Sequence, residues 1–215
     1  MIPRAAEAVA VGVGGAAVAG AIGSMIGLAG PAAVVGGCNG VISGWRRTYD
    51  WKCSSGVIAA VSDSSWALVT TTGALGAHAI AAVTRGGYLP ELSERQNRHV
   101  YRRGFTPRRG FAVTIGNTVS GAGDPADERR RHLVNDHEQV HINQTRWLGP
   151  AFPVLYVGWM VLAAPLGVIN WAKARASGDR SSTLWASVDR CAYWQHPLER
   201  QAYLRASRAS QAARG

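Results

Sequence analysis

From Ala8 to Trp45 the chain runs for 38 residues without an ionisable side chain other than Cys38. A bilayer span takes about 20 apolar residues, so this run is long enough to cross twice, with Gly30-Pro31 as the natural turn. Glycines recur at helical spacing: Gly23 and Gly27 in the first half, then Gly36, Gly40 and Gly44 in the second. Small residues at every fourth position leave a flat stripe on which a second helix can pack closely. The expectation is a tightly packed helical hairpin in a membrane, with self-association through the glycine-spaced helices as a corollary. A cleaved signal peptide fits poorly, because Arg4 is the only early positive charge and the apolar run is far too long. A soluble Ala/Gly-rich segment stays open as an alternative, since both residues contribute little insertion energy.

The rest of the chain keeps this character. Trp45 closes the run and Arg46, Arg47, Trp51 and Lys52 follow it, and cations beside tryptophans suit a membrane–water boundary on the cytoplasmic side. A solvated loop is the alternative. Residues 1–55 are read as the hairpin with its basic boundary loop, and 56–215 as a second region. Within that region residues 56–84 are apolar, and Ser62 or Asp63 is placed to cap a helix running to about Thr84. It is read as a core or interfacial helix, with His78 packed on it, because a lone crossing would put the arginine-rich stretch after it outside. Residues 150–171 carry no charge but three prolines, Pro150, Pro153 and Pro165, so they suit a kinked span or a buried hairpin. The chain after Lys173 is polar and expected to be helical.

Charge narrows the partners. The formal net charge is +10, from 23 Lys and Arg against 13 Asp and Glu, and Lys52 and Lys173 are the only lysines. Arg85, Arg95, Arg98, Arg102, Arg103, Arg108 and Arg109 crowd one segment, which reads as a β-hairpin around Thr106-Pro107. Residues 111–119 supply a strand by the alternation of Phe111, Val113 and Ile115. Arginines interleaved with Tyr101 and Phe105 could suit single-stranded nucleic acid, but no nucleic-acid motif accompanies them. Positive charge beside apolar spans serves anionic headgroups, so membrane lipid is the expected partner rather than nucleic acid. Three cysteines without a Cys-x-x-Cys pair exclude a disulfide framework, a cysteine zinc finger and an iron–sulfur site. The fold class expected is mainly α with a small β-hairpin.

The chemistry lies between Gly123 and Pro150. Asp124 is a good helix N-cap, Pro125 fits the first helical position and Gly149-Pro150 supplies the stop, so one helix of about 24 residues is expected. Its apolar stripe through Leu133, Val134, Val140 and Leu148 also contains His137 and His141. His137-Glu138-Gln139-Val140-His141 is an H-E-x-x-H sequence. Residues four apart on a helix lie one above the other, so two imidazoles can bind one Zn²⁺. Glu138 lies next round the helix, where it can take a proton from a water that the metal polarises. A buried, hydrogen-bonded histidine pair with an incidental glutamate is the plainer alternative. Downstream, His196 and Glu199 are the candidates for a third ligand.

The pair of segments HEQVH and PLERQAY resembles the gluzincin zinc metallopeptidases, in which H-E-x-x-H is completed by a glutamate on a later helix. The closest likeness is to their compact and membrane-bound members, and the run from His137 to Pro150 also resembles uncharacterised bacterial proteins of that type. The resemblance covers about residues 100–205 and implies a zincin-like helical core. It implies His137 and His141 as zinc ligands, Glu138 as general base, Glu199 as third ligand and a peptide or protein substrate. It also implies that a strand near the metal helix pairs with the extended substrate, and residues 111–119 are the candidate. The N-terminal hairpin has no counterpart in that family. The resulting expectation is a membrane-associated zinc metallopeptidase-like protein with its active-site domain on the cytoplasmic side. The alternative is a non-catalytic glycine-zipper assembly protein with a structural or vestigial metal site.

Overall fold

The computed structural model describes residues 2–106, 108 and 110–212. The chain is mainly helical with one small three-stranded sheet, as the sequence leads one to expect. It divides into two compact units, Met1–Pro150 and Ala151–Gly215.

The first unit opens with the helical hairpin, α1 (Arg4–Ser24) and α2 (Ala29–Trp45). Its turn is Met25–Leu28, with Gly27 at φ 73°, and not Gly30-Pro31. The first turn of a helix has no intrahelical use for its N–H groups, so Pro31 is accommodated inside α2 while a left-handed glycine makes the reversal earlier. The glycine stripe faces the partner helix of the same hairpin. A Cβ on Gly36 would meet the Gly15 carbonyl and stand 2.6 Å from the Ala19 Cβ, and one on Gly44 would stand 2.5 Å from the Glu7 oxygen. Gly12 and Gly15 complete the seam on α1, whereas Gly27 has been spent on the turn.

Residues 54–83 form two helices instead of the single one expected from Ser62. These are α3 (Ser54–Asp63) and α4 (Leu68–Val83), bent by 87° at the break. Ser62 does not cap α4; its carbonyl accepts from Ala67 N–H at 2.8 Å. The Asp63 carboxylate is drawn away by Arg146, which donates to both its oxygens at 2.8 Å. Tyr49 and Asn117 donate to the same carboxylate. His78 is buried on α4, its Nδ1 2.8 Å from the Tyr101 hydroxyl.

The sheet comprises β1 (His99–Val100), β2 (Val113–Ile115) and β3 (Thr118–Ser120), in the order β1-β3-β2. β3 pairs antiparallel with β2 and parallel with β1. The hairpin turn is thus Gly116-Asn117, where Gly116 adopts φ 58°, a conformation that favours glycine in a two-residue loop. β1 and β2 each pair with β3 and not with one another; the turn expected at Thr106-Pro107 falls on Pro107, which with Arg109 lies outside the described residues. Leu92, Val100, Val119, Val134 and Ile142 form the core between this sheet and the helix that follows.

That helix starts later than the sequence suggests. Asp127, not Asp124, is its cap and accepts from Arg129 N–H at 2.9 Å. Asp124 instead closes a local turn onto Ala126 N–H. The helix runs as α5 (Glu128–His132), a π-helical turn over Leu133–Glu138 and α6 (Gln139–Leu148).

The second unit contains α7 (Ala151–Ala176), α8 (Leu184–Asp189), a π-turn (Arg190–Trp194) and α9 (Pro197–Ala212). α7 is one continuous helix with Pro165 inside it, so residues 150–171 form no hairpin. Both α1 and α7 are long and apolar enough to cross a membrane, and the bent pair α3–α4 would make a third such segment if taken as one.

Candidate metal centre

The π-turn and α6 carry His137, Glu138 and His141, all buried. The two Nε2 atoms are 3.2 Å apart, with the rings nearly perpendicular at 77°. A tetrahedral zinc with Zn–N bonds of about 2.0–2.1 Å holds a pair of its nitrogens about 3.3–3.4 Å apart. The imidazoles therefore stand within hydrogen-bonding distance of each other and close to the separation at which one ion could be shared. His141 is also in the correct tautomer to ligate. Its Nδ1 lies 2.8 Å from Gln144 Oε1, an oxygen that can only accept, so the proton sits on Nδ1 and the Nε2 lone pair is left for a metal.

Glu138 is oriented by the sheet. The Thr114 hydroxyl, from β2, donates to Glu138 Oε2 at 2.7 Å. The other end of the hairpin touches α6, where the Thr145 hydroxyl donates to the Gly116 carbonyl at 3.2 Å. Beyond it Arg146 forms its two-pronged ion pair with Asp63, both side chains being almost fully buried. Burial works against the Arg146 charge, but the Asp63 carboxylate more than offsets it and the pKa is raised.

In the second unit Glu199 occupies the first turn of α9 and is buried. Tyr156 on α7 donates its hydroxyl to Glu199 Oε1 at 2.6 Å. His196 is buried too, and both of its ring nitrogens are engaged. Leu198 N–H donates to Nδ1 at 3.1 Å, which puts the ring proton on Nε2, 3.2 Å from the Tyr156 carbonyl. Ligation by His196 would break one of these bonds, so Glu199 is the better supplied of the two candidates.

Each of the three residues that the sequence points to as ligands is buried, His137 and His141 in the first unit and Glu199 in the second. Sequence reasoning missed the residues that orient them. Gln144 was visible, three positions after His141, but nothing in its spacing alone gave it a role. Thr114 and Tyr156 bond to the site from 24 and 43 residues away, and no local pattern signals such a contact. No protein-family model, curated protein or solved structure matches the chain.

Proposed function

We propose that the chain is a membrane-associated, zinc-dependent metallopeptidase-like hydrolase. The observation that carries the reading is the His137–His141 pair at metal-sharing distance, with a buried glutamate between them on the same turn. The donor set, two imidazoles and a carboxylate, suits zinc. In this reading His137 and His141 are two ligands and Glu199, steadied by Tyr156, is the third. A zinc ion bound there supplies a Lewis acid that polarises a peptide carbonyl and a water molecule.

The chain's own residues then move the proton. Glu138 accepts it from the attacking water and delivers it to the leaving amine nitrogen. The Thr114 hydroxyl keeps the carboxylate aimed while Oε1 does this work. β2 is an edge strand of the sheet, and an extended peptide adding to that edge would lie beside Glu138. The basic segments after α2 and α4 favour a cytoplasmic site and anionic lipid as neighbour.

The reading predicts that Glu138→Gln abolishes metal-dependent proteolysis in detergent or proteoliposomes while the bound metal is retained. Proteolysis that persists in Glu138→Gln contradicts it. The glycine-zipper alternative draws less support, because Gly36, Gly40 and Gly44 are already spent against α1 of the same chain.

A further inference from the structure

We infer that Arg98 is a positioning residue for the metal ligands, the side chain that fixes the π-turn carrying His137 and Glu138. The inference rests on the metal-centre reading above.

Arg98 is 3% exposed and immediately precedes β1. Its backbone neighbours are pinned on both sides: Asn97 N–H donates to the Thr48 carbonyl and His99 N–H to the Asn117 carbonyl. From this fixed base its guanidinium reaches the metal helix. Nη1 donates to the Val134 carbonyl at 3.2 Å and to Gln139 Oε1 at 2.8 Å. Nη2 donates to Asn135 Oδ1 at 2.5 Å, and Nε is held by the Leu92 carbonyl at 3.0 Å. All four acceptors are neutral oxygens. Burial lowers the guanidinium pKa to about 10, with Asp136 opposing, so it stays charged at neutral pH.

The three acceptors on the helix bracket the π-turn. Val134 and Asn135 lie in its first half and Gln139 is the residue that follows it. In a π-turn the bond runs from residue i+5 back to i, and Gln139 N–H accordingly donates to the Val134 carbonyl, the same oxygen that Arg98 holds. Such a turn is rare beside α-helix and is found frequently at functional sites. Straightening it would alter the pitch between His137 and His141, and with it the 3.2 Å separation of their Nε2 atoms. The planar fork of arginine can serve all these acceptors together; lysine, with one nitrogen, cannot.

The test is Co²⁺ titration of full-length, detergent-purified, metal-stripped protein, followed by the visible d–d absorption of the bound ion. Arg98→Lys is expected to weaken Co²⁺ by about tenfold or more, the scale of lost outer-shell support, and to displace the absorption band. Gly36→Ala, which strains the remote hairpin, is the control. It is expected to lower the melting temperature while leaving affinity and band unchanged. Arg98→Lys with wild-type affinity and band, and only a lowered melting temperature, overturns the inference and leaves the metal centre standing. Wild-type protein that takes up no Co²⁺ overturns the metal centre and the inference with it. If Arg98→Lys is not recovered folded, Asn135→Ala and Gln139→Ala each remove one acceptor. A weakened, displaced Co²⁺ spectrum in both supports the inference, and wild-type spectra in both overturn it.

Discussion

His99 is fully buried beside Ser43 and Thr48, with its Nε2 3.0 Å from the Ser43 hydroxyl. Burial holds its pKa well below the ordinary histidine value, and the neighbouring His78, Arg46 and Arg146 push the same way. The fold therefore keeps this imidazole neutral. In the unfolded chain it takes up a proton near pH 6.5, so below that pH the unfolded state holds more protons and stability falls as pH falls. The melting temperature in detergent is expected to drop between pH 7.5 and 5.5, and to drop less in His99→Gln. An equal drop in both would assign the acid sensitivity elsewhere. At this scale the residues of the H-E-x-x-H segment were legible and their supports were not. His137, Glu138 and His141 declare themselves because i, i+4 spacing is local geometry. Arg98 sits among seven arginines of one segment, and only its contacts, 36 to 41 residues away, set it apart.

Helices were easier to foresee than their ends. The N-terminal hairpin and the helix that carries His137 follow from apolar runs and turn signals, yet two of the boundaries that moved did so for a polar reason. Asp63 left its capping role for Arg146, and the cap of the metal helix passed from Asp124 to Asp127. β1 had no signal, since two residues that pair in parallel with a strand 19 positions later leave no periodicity to read. The Asp63–Arg146 pair ties α3 to the far end of α6, and Tyr49, Asn39 and Asn117 extend the network to α2 and the sheet. Leaving a buried guanidinium without its partner costs about 3–5 kcal/mol. Asp63→Leu should lose about that much stability in reversible unfolding, whereas Asp63→Leu combined with Arg146→Met should lose less. A double variant less stable than the single one would show that the pair itself, and not the stranded charge, supplies the stability.

The molecule as a whole carries two apolar helices of spanning length, α1 and α7, and a buried histidine pair on the helix that ends the first unit. Membrane association and metal binding are separable, and the second carries the functional reading. Sequence composition indicated the first by its uncharged runs. The histidine pair was legible from local spacing, whereas Glu199, 58 residues beyond His141, could be named only through a short motif of low specificity and the resemblance that it carries. The most direct measurement is elemental analysis of the detergent-purified full-length protein, wild type beside His141→Ala, Glu199→Ala and His196→Ala. The account predicts about one zinc per chain in the wild type, lost in His141→Ala and Glu199→Ala and retained in His196→Ala. Wild-type protein without zinc after zinc is supplied, or full zinc in Glu199→Ala, would contradict it.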